Sequence, residues 1–167
     1  AGTGSAGFAG DDGPATAAAL LNPTAVDVDL TGNIYISDTD NLRIRLVDVT
    51  SGNISTIAGG GTQVFSDTLA TLVELSRPSD VFVTDSGVVY IGEAAGVTKK
   101  VRRIDGSGNL VTVAGTGESG FSGDGGPATD ATLSEASRIH VTSAGDVFFW
   151  DSNNQRVRKV DAASGLI

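Results

Sequence analysis

Two sets of acidic, amide and basic side chains recur in this sequence with the same spacing. The sets are Asp38, Asn41, Arg43 and Arg45, and then Asp151, Asn154, Arg156 and Arg158. A carboxylate and a guanidinium at this spacing can pair with each other or bind a charged ligand. The Asp can also accept backbone N–H groups in a tight turn, and the Arg two residues after the Asn, Arg43 or Arg156, is expected to reach back to it. Because the whole set is repeated, we interpret it as a structural turn and ion-pair motif.

Acidic loops suggest a second chemistry, calcium binding. The segments DTDN (Asp38 to Asn41), GDDG (Gly10 to Gly13) and GDGG (Gly123 to Gly126) place hard oxygen ligands close together. A specific calcium loop needs carboxylates at alternating positions and a bidentate Glu at its end, and none of these segments has that pattern. We therefore predict no cofactor, with calcium as the alternative.

Residues for catalysis are scarce. His140 is the only histidine and cysteine is absent, so this chain alone cannot supply the ligands of a zinc site. The segment GESG (Gly117 to Gly120) has its Ser at the wrong place for a nucleophile elbow. The sequence therefore predicts that the chain is not an enzyme.

The segments that must position these residues are themselves repeated. AGTGSAGFAGDDGPAT (Ala1 to Thr16) returns as AGTGESGFSGDGGPAT (Ala114 to Thr129), and the alignment continues without gaps to Arg45 and Arg158. A middle copy begins at Ala58, lacks GDGGPAT and recovers the register at RPSDVFV (Arg77 to Val83). The chain is thus predicted to be a single segment of three units, residues 1–57, 58–113 and 114–167.

Within a unit, apolar residues alternate with polar ones. The first unit has four such runs: TAVDVD (Thr24 to Asp29), NIYISD (Asn33 to Asp38), RIRLVD (Arg43 to Asp48) and NISTIAG (Asn53 to Gly59). Short turn-forming segments separate them, which predicts an antiparallel meander of four strands. The long glycine-rich opening then returns the chain from the outer strand to the next inner strand, with Phe8 and Phe121 as apolar anchors. This is the organisation of a β-propeller blade.

The repeat also resembles a known family. GFSGDGGPAT, together with GNIYISDTDNLRIRLVD (Gly32 to Asp48), is similar to the NHL repeat, especially the extracellular and bacterial variety and the teneurin-like propellers. Unit two departs by having EAAGVTK (Glu93 to Lys99) in place of the DTDN turn, and unit three has Ala136 where Pro23 and Pro78 stand. The resemblance implies an all-β propeller of three NHL-like blades, half of a six-bladed ring or part of a larger propeller. It also implies an extracellular or cell-surface location.

The resemblance leaves an enzymatic alternative. Some NHL-like propellers are lyases that hold zinc with several histidines in the central channel. This chain would then be a fragment of such an enzyme, with its catalytic residues on further blades.

Charge and composition exclude several partners. Lys and Arg number 11 against 20 Asp and Glu, a net charge of −9, which repels the phosphates of nucleic acids. No run approaches the roughly 18 apolar residues that cross a bilayer, so we expect no membrane insertion.

The blade count predicts the partner. Three blades leave one apolar sheet face uncovered at each end, which a soluble monomer does not tolerate. We therefore predict a noncatalytic structural or interaction module that self-associates, as a ring or a head-to-tail filament, or that belongs to a longer tandem protein. The large aromatics Phe148, Phe149 and Trp150 of the last unit are either core or interface residues.

One modification site follows from the sequence. Asn53, Ile54 and Ser55 form an N-glycosylation sequon, whereas Asn22 is followed by Pro23. We predict that peptide mass spectrometry of the secreted protein from a eukaryotic host finds a glycan on Asn53 and none on Asn22. An unmodified Asn53 peptide would contradict the prediction.

Overall fold

The computed structural model describes residues 1–64, 67–94 and 98–167, so the segment Glu93 to Lys99 lies partly outside the described residues. The first unit contains strands β1 (Gly13–Pro14), β2 (Pro23–Val28), β3 (Ile34–Asp38), β4 (Arg43–Val47) and β5 (Asn53–Gly59). The second contains β6 (Thr68–Leu69), β7 (Pro78–Val83), β8 (Val89–Glu93), β9 (Lys100–Ile104) and β10 (Asn109–Ala114). The third contains β11 (Ala136–Val141), β12 (Val147–Asp151) and β13 (Arg156–Val160). In these three described ranges, 3₁₀ helices lie at Ala15–Ala17, Thr39–Asn41, Ala70–Leu72, Ala128–Asp130 and Ser152–Asn154.

These strands form three antiparallel sheets, with orders β1-β5-β4-β3-β2, β6-β10-β9-β8-β7 and β11-β12-β13. The all-β class and the meander are as predicted. The number of strands differs, because the glycine-rich connector adds a short fifth strand to each of the first two sheets. Gly13–Pro14 pairs with β5 and Thr68–Leu69 pairs with β10, so the connector supplies hydrogen-bond partners to each outer edge. In the third sheet, a single bridge between Pro127 and Leu166 lies at the corresponding place.

The three sheets stack side by side through their first strands. Strand β2 packs against β7, and β7 packs against β11. One core lies between the first and second sheets and includes Tyr35, Ile44, Val81 and Ile91. A second lies between the second and third sheets and includes Val101, Ile139, Val147 and Phe149. The second sheet therefore contributes core residues from both of its faces, one face to each neighbouring sheet.

Equivalent positions of the repeat differ in exposure according to whether a neighbouring sheet is present. Val26, Val81 and Ile139 occupy the same place in the first strands of their sheets. The exposed fraction is 65% for Val26 but only 4% for Val81 and 6% for Ile139. Only Val26 lacks a preceding sheet. The residues are alike in chemistry, so the missing neighbour accounts for the difference.

Within the part of the chain that the structure describes, none of the helices has the length and hydrophobicity of a membrane-spanning segment.

The paired positions give a stability prediction. Val81→Ala removes two buried methyl groups from the core between the first and second sheets, so we expect a loss of about 2 kcal/mol in the free energy of unfolding. Val26→Ala, the matched control at the exposed position, is expected to change it by less than about 0.5 kcal/mol in dilute protein. Urea unfolding measures both, and equal losses would contradict the sheet stacking.

Candidate functional site

The motif that begins at Asp38 ties three parts of the first unit together. Asp38 ends β3 and is fully buried. Its Oδ1 accepts a hydrogen bond from the backbone N–H of Leu21 at 2.8 Å. Its Oδ2 accepts from Asn41 Nδ2 at 2.9 Å and from Arg45 Nη1 at 3.2 Å. The carboxylate thus joins the end of the connector, the 3₁₀ turn after β3 and strand β4.

The arginine that reaches Asp38 is Arg45, two residues further along than Arg43. Side chains two residues apart in a strand point to the same face, so both arginines lie on one face of β4. Arg43, at the start of the strand, takes a different role. Its Nη1 donates to the carbonyl of Asn41 at 2.7 Å. Its guanidinium lies 3.8 Å from the centre of the Phe8 ring, and that of Arg45 lies 4.9 Å from it. Phe8 is therefore a half-exposed platform for two cations as well as an apolar anchor.

Asp11 completes the motif and was missed by the sequence reasoning. Arg45 is fully buried, and its Nη2 donates to Asp11 Oδ1 at 2.6 Å. Asp11 lies in the GDDG loop, more than 30 residues from Arg45, so local spacing could not associate the two. The repetition of Gly10-Asp11 as Gly123-Asp124 was the one feature of the sequence that could have indicated this role.

The third unit repeats this arrangement. Asp151 accepts from Asn154 Nδ2 at 2.8 Å and from Arg158 Nη1 at 3.4 Å. Arg158 Nη2 pairs with Asp124 at 2.7 Å, and Arg156 and Arg158 lie over Phe121 at 3.9 and 4.9 Å. The connector is thus attached to its sheet in the same way in both units.

The second unit carries a weaker version. Glu93 replaces Asp38 and accepts hydrogen bonds from the backbone N–H of Ser76 and the hydroxyl of Thr98, at 2.9 and 3.0 Å. Arg102 Nη1 lies 3.6 Å from Glu93 Oε2. Burial raises the pKa of Glu93 and lowers the pKa of Arg102.

In the acidic loops proposed as calcium ligands, the carboxylates of Asp11 and Asp40 already bind donor groups of the protein. Asp11 Oδ2 accepts from the Thr56 hydroxyl at 2.7 Å, while its Oδ1 binds Arg45. Asp40 Oδ1 pairs with Arg77 at 2.7 Å, and its Oδ2 accepts from Asn22 Nδ2 at 3.2 Å. In the part of the chain that the structure describes, no group of three or more His, Asp or Glu side chains is placed to hold a metal ion.

His140 lies at the first strand of the third sheet, packed edge-on against Phe82 with 5.4 Å between ring centres. Both rings line a cleft of about 650 Å³ between the second and third sheets. At the corresponding position of the first sheet, Asp27 accepts the backbone N–H of Val83 at 2.7 Å. Between the second and third sheets, Asp80 accepts the N–H of Ile139. These two carboxylates join neighbouring sheets, a role that their alternation with Val does not indicate.

Two exposed apolar surfaces lie at the ends of the stack. The first-sheet end surface consists of Leu20, Val26, Val28 and Ile34, beside a cavity of about 380 Å³ that Pro23 and Ile36 also line. The third-sheet end surface consists of Phe148, Trp150 and Val157. Val157 is 72% exposed, whereas its equivalents Ile44 and Val101 are fully buried under the next sheet.

Of the three aromatics predicted as core or interface, Phe149 lies on the other face of its strand. It is buried against the second sheet, whereas 43% of Trp150 is exposed. The alternation of β12 therefore divides the aromatic run between the core and the third-sheet end surface.

Asn53 begins β5 and is exposed, as glycosylation requires. Its modification stays a prediction.

Comparison with known proteins identifies the fold. No protein-family model matches the chain. A structural genomics protein of unknown function from Bacteroides thetaiotaomicron matches with a TM-score of 0.65 at 22% identity, over 78% of this chain and 32% of that one. Virginiamycin B lyase from Staphylococcus aureus matches with a TM-score of 0.53 at 16% identity, over 86% of this chain and 42% of that one. The chain has a β-propeller fold, and this fold includes enzymes.

One curated relative is similar in sequence. Protein SUPPRESSOR OF QUENCHING 1, chloroplastic, from Arabidopsis thaliana is 30% identical over an alignment of 141 residues that covers 78% of this chain. The chain spans 13% of the length of that relative.

Burial of the ion pair gives a matched prediction. Asp38→Ala leaves the buried Arg45 without one of its two carboxylates, so we expect a loss of about 3 kcal/mol in the free energy of unfolding. Asp40→Ala removes an exposed pair with Arg77, and we expect a loss of less than about 1 kcal/mol. Urea unfolding compares the two, and a loss from Asp40→Ala as large as that from Asp38→Ala would contradict a structural role for the buried motif.

Proposed function

We propose that this chain is a noncatalytic structural and interaction module of an NHL-type propeller, whose two end surfaces are covered by further propeller sheets. Those sheets belong either to a second copy of the chain or to a longer tandem protein. The observation that carries the proposal is the contrast between equivalent positions. Val26 and Val157 are exposed, whereas each of their repeat equivalents is buried under a neighbouring sheet.

The exposure of Val26 and Val157 matters because both belong to groups of apolar residues. Isolated apolar residues are common on surfaces, but each end surface groups several of them on one sheet face. Fully burying a valine contributes about 1.5 kcal/mol or more, so covering both surfaces favours assembly substantially.

The chemistry of the polar residues supports a noncatalytic role. Asp38, Arg45, Asp151 and Arg158 bind one another and the connectors, and so have structural partners already. His140 packs on Phe82 with no second histidine in the sequence. A lyase-like activity would require groups from outside this chain.

The NHL assignment and the extracellular location rest on the connector and strand motifs and on the Asn53 sequon. The Arabidopsis relative is named as a chloroplastic protein, which describes that protein. For this chain, an extracellular or cell-surface location is our proposal.

Sedimentation velocity of the chain tests the proposal. We expect a species larger than the 16.8 kDa monomer, and a mass of twice that value indicates a closed ring. A folded, stable monomer at micromolar concentration would contradict self-association. Metal analysis of the native protein tests the noncatalytic part, since stoichiometric zinc would favour the lyase-like alternative.

A further inference from the structure

The third-sheet end surface differs from the two internal junctions at one decisive position. Ser37, Gly92 and Trp150 are repeat equivalents on the face that each sheet turns to the next. Ser37 is fully buried. A Cβ atom on Gly92 would lie 2.5 Å from the carbonyl oxygen of Ala136, the first residue of the next sheet. Both internal junctions therefore admit only a small residue there, whereas the third sheet presents an indole.

A following sheet must accommodate that indole where its own first strand begins. Ala136 is the repeat equivalent of Pro23, so Trp150 of a preceding sheet would meet the region around Pro23 of the first sheet. That region holds the cavity of about 380 Å³, lined by Leu20, Pro23, Val26, Ile36 and their neighbours. Its size suits an aromatic ring, and its lining is largely aliphatic.

The remaining residues of the two surfaces are also complementary. Phe148 and Val157 occupy the positions of Tyr35 and Ile44, which pack on Val81 and Ile91 at the first internal junction. Val26 and the cavity-lining Ile36 are the equivalents of Val81 and Ile91. The first-sheet end surface and its cavity can therefore pack against Phe148 and Val157 in the same way. Apart from the position of Trp150, the contact therefore continues a packing arrangement that the chain already uses twice.

At the internal junctions, Asp27 and Asp80 accept backbone N–H groups of the next sheet. The third sheet has neither carboxylate at the equivalent positions. Arg138 stands at the position of Asp80, and His140 stands at that of Asp27. Arg138 adopts a left-handed φ of +51° within β11, and its guanidinium lies 5.9 Å from the centre of the Trp150 ring. The outer junction must therefore be held by something other than a carboxylate, and the exposed indole is the large apolar group available for it.

We propose that two copies of this chain join head to tail, with Trp150 of one copy inserted into the cavity beside Val26 and Pro23 of the next. This inference rests on the proposed function and names its contact. Because the two surfaces are different patches, the interface is heterologous, and two copies close a ring or several extend as a filament.

Two single variants each disable one surface. Trp150→Ala removes the inserted side chain, and Val26→Asp places a carboxylate beside the cavity at a position exposed enough to tolerate it. We expect each to weaken self-association in sedimentation velocity by about 100-fold, as for an interface hot spot. Val49→Ala, an exposed residue in the turn after β4, is the control and should leave the association unchanged.

Mixing the two variants separates this contact from any other mode of association. Trp150 is the only tryptophan in the chain, so in the mixture every tryptophan belongs to the Val26→Asp variant, whose third-sheet end surface is intact. We expect its fluorescence to shift to shorter wavelength when the Trp150→Ala variant is added, and a one-to-one heterodimer to form. Thermal melts of both variants should match that of the wild type at a protein concentration low enough for the wild type to be dissociated.

The outcomes are distinguishable. If the wild type self-associates but the mixture shows neither shift nor heterodimer, the Trp150 contact is wrong while the proposed function stands. If the wild type is a stable monomer, self-association fails together with the contact. A fluorescence shift in Val26→Asp alone, without its partner, would also overturn the contact.

Discussion

Each sheet of this protein has two apolar faces, and each face needs a neighbour. The second sheet meets this requirement within the chain, because the first sheet covers one of its faces and the third sheet covers the other. The first and third sheets each have only one neighbour, which leaves Val26 and Val157 exposed. The stacking, the connectors and the proposed assembly all follow from this one constraint.

The buried ion-pair motif matters because it secures the connectors. Asp38 and Arg45 hold the connector against the outer part of their sheet, where Ala15 and Ala18 then pack on Ile54. The same residues would suggest a ligand site if they occurred once. Their recurrence in the third unit, with the same partners, favours the structural interpretation.

Much of the fold was predictable from the sequence, because strand alternation and the repeat are local signals. The fifth strand at Gly13–Pro14 was not, since two residues without alternation pair only through their backbone. Arg45 rather than Arg43 is the partner of Asp38, although both lie on the same face of β4, because Arg43 at the start of the strand bonds the carbonyl of Asn41 instead. Asp11 and the sheet-joining carboxylate of Asp27 act over long sequence separations, which spacing cannot reveal. The opposite roles of Phe149 and Trp150 followed once the register of β12 was known.

We propose that both end surfaces are covered in the native assembly. Hydroxyl-radical footprinting of the native protein, read by mass spectrometry at single residues, measures this directly. We expect Val26 and Val157 to be labelled as slowly as their buried equivalents Val81 and Val101, while the exposed Leu30 is labelled rapidly. Labelling of Val26 and Val157 at the rate of Leu30 would contradict it.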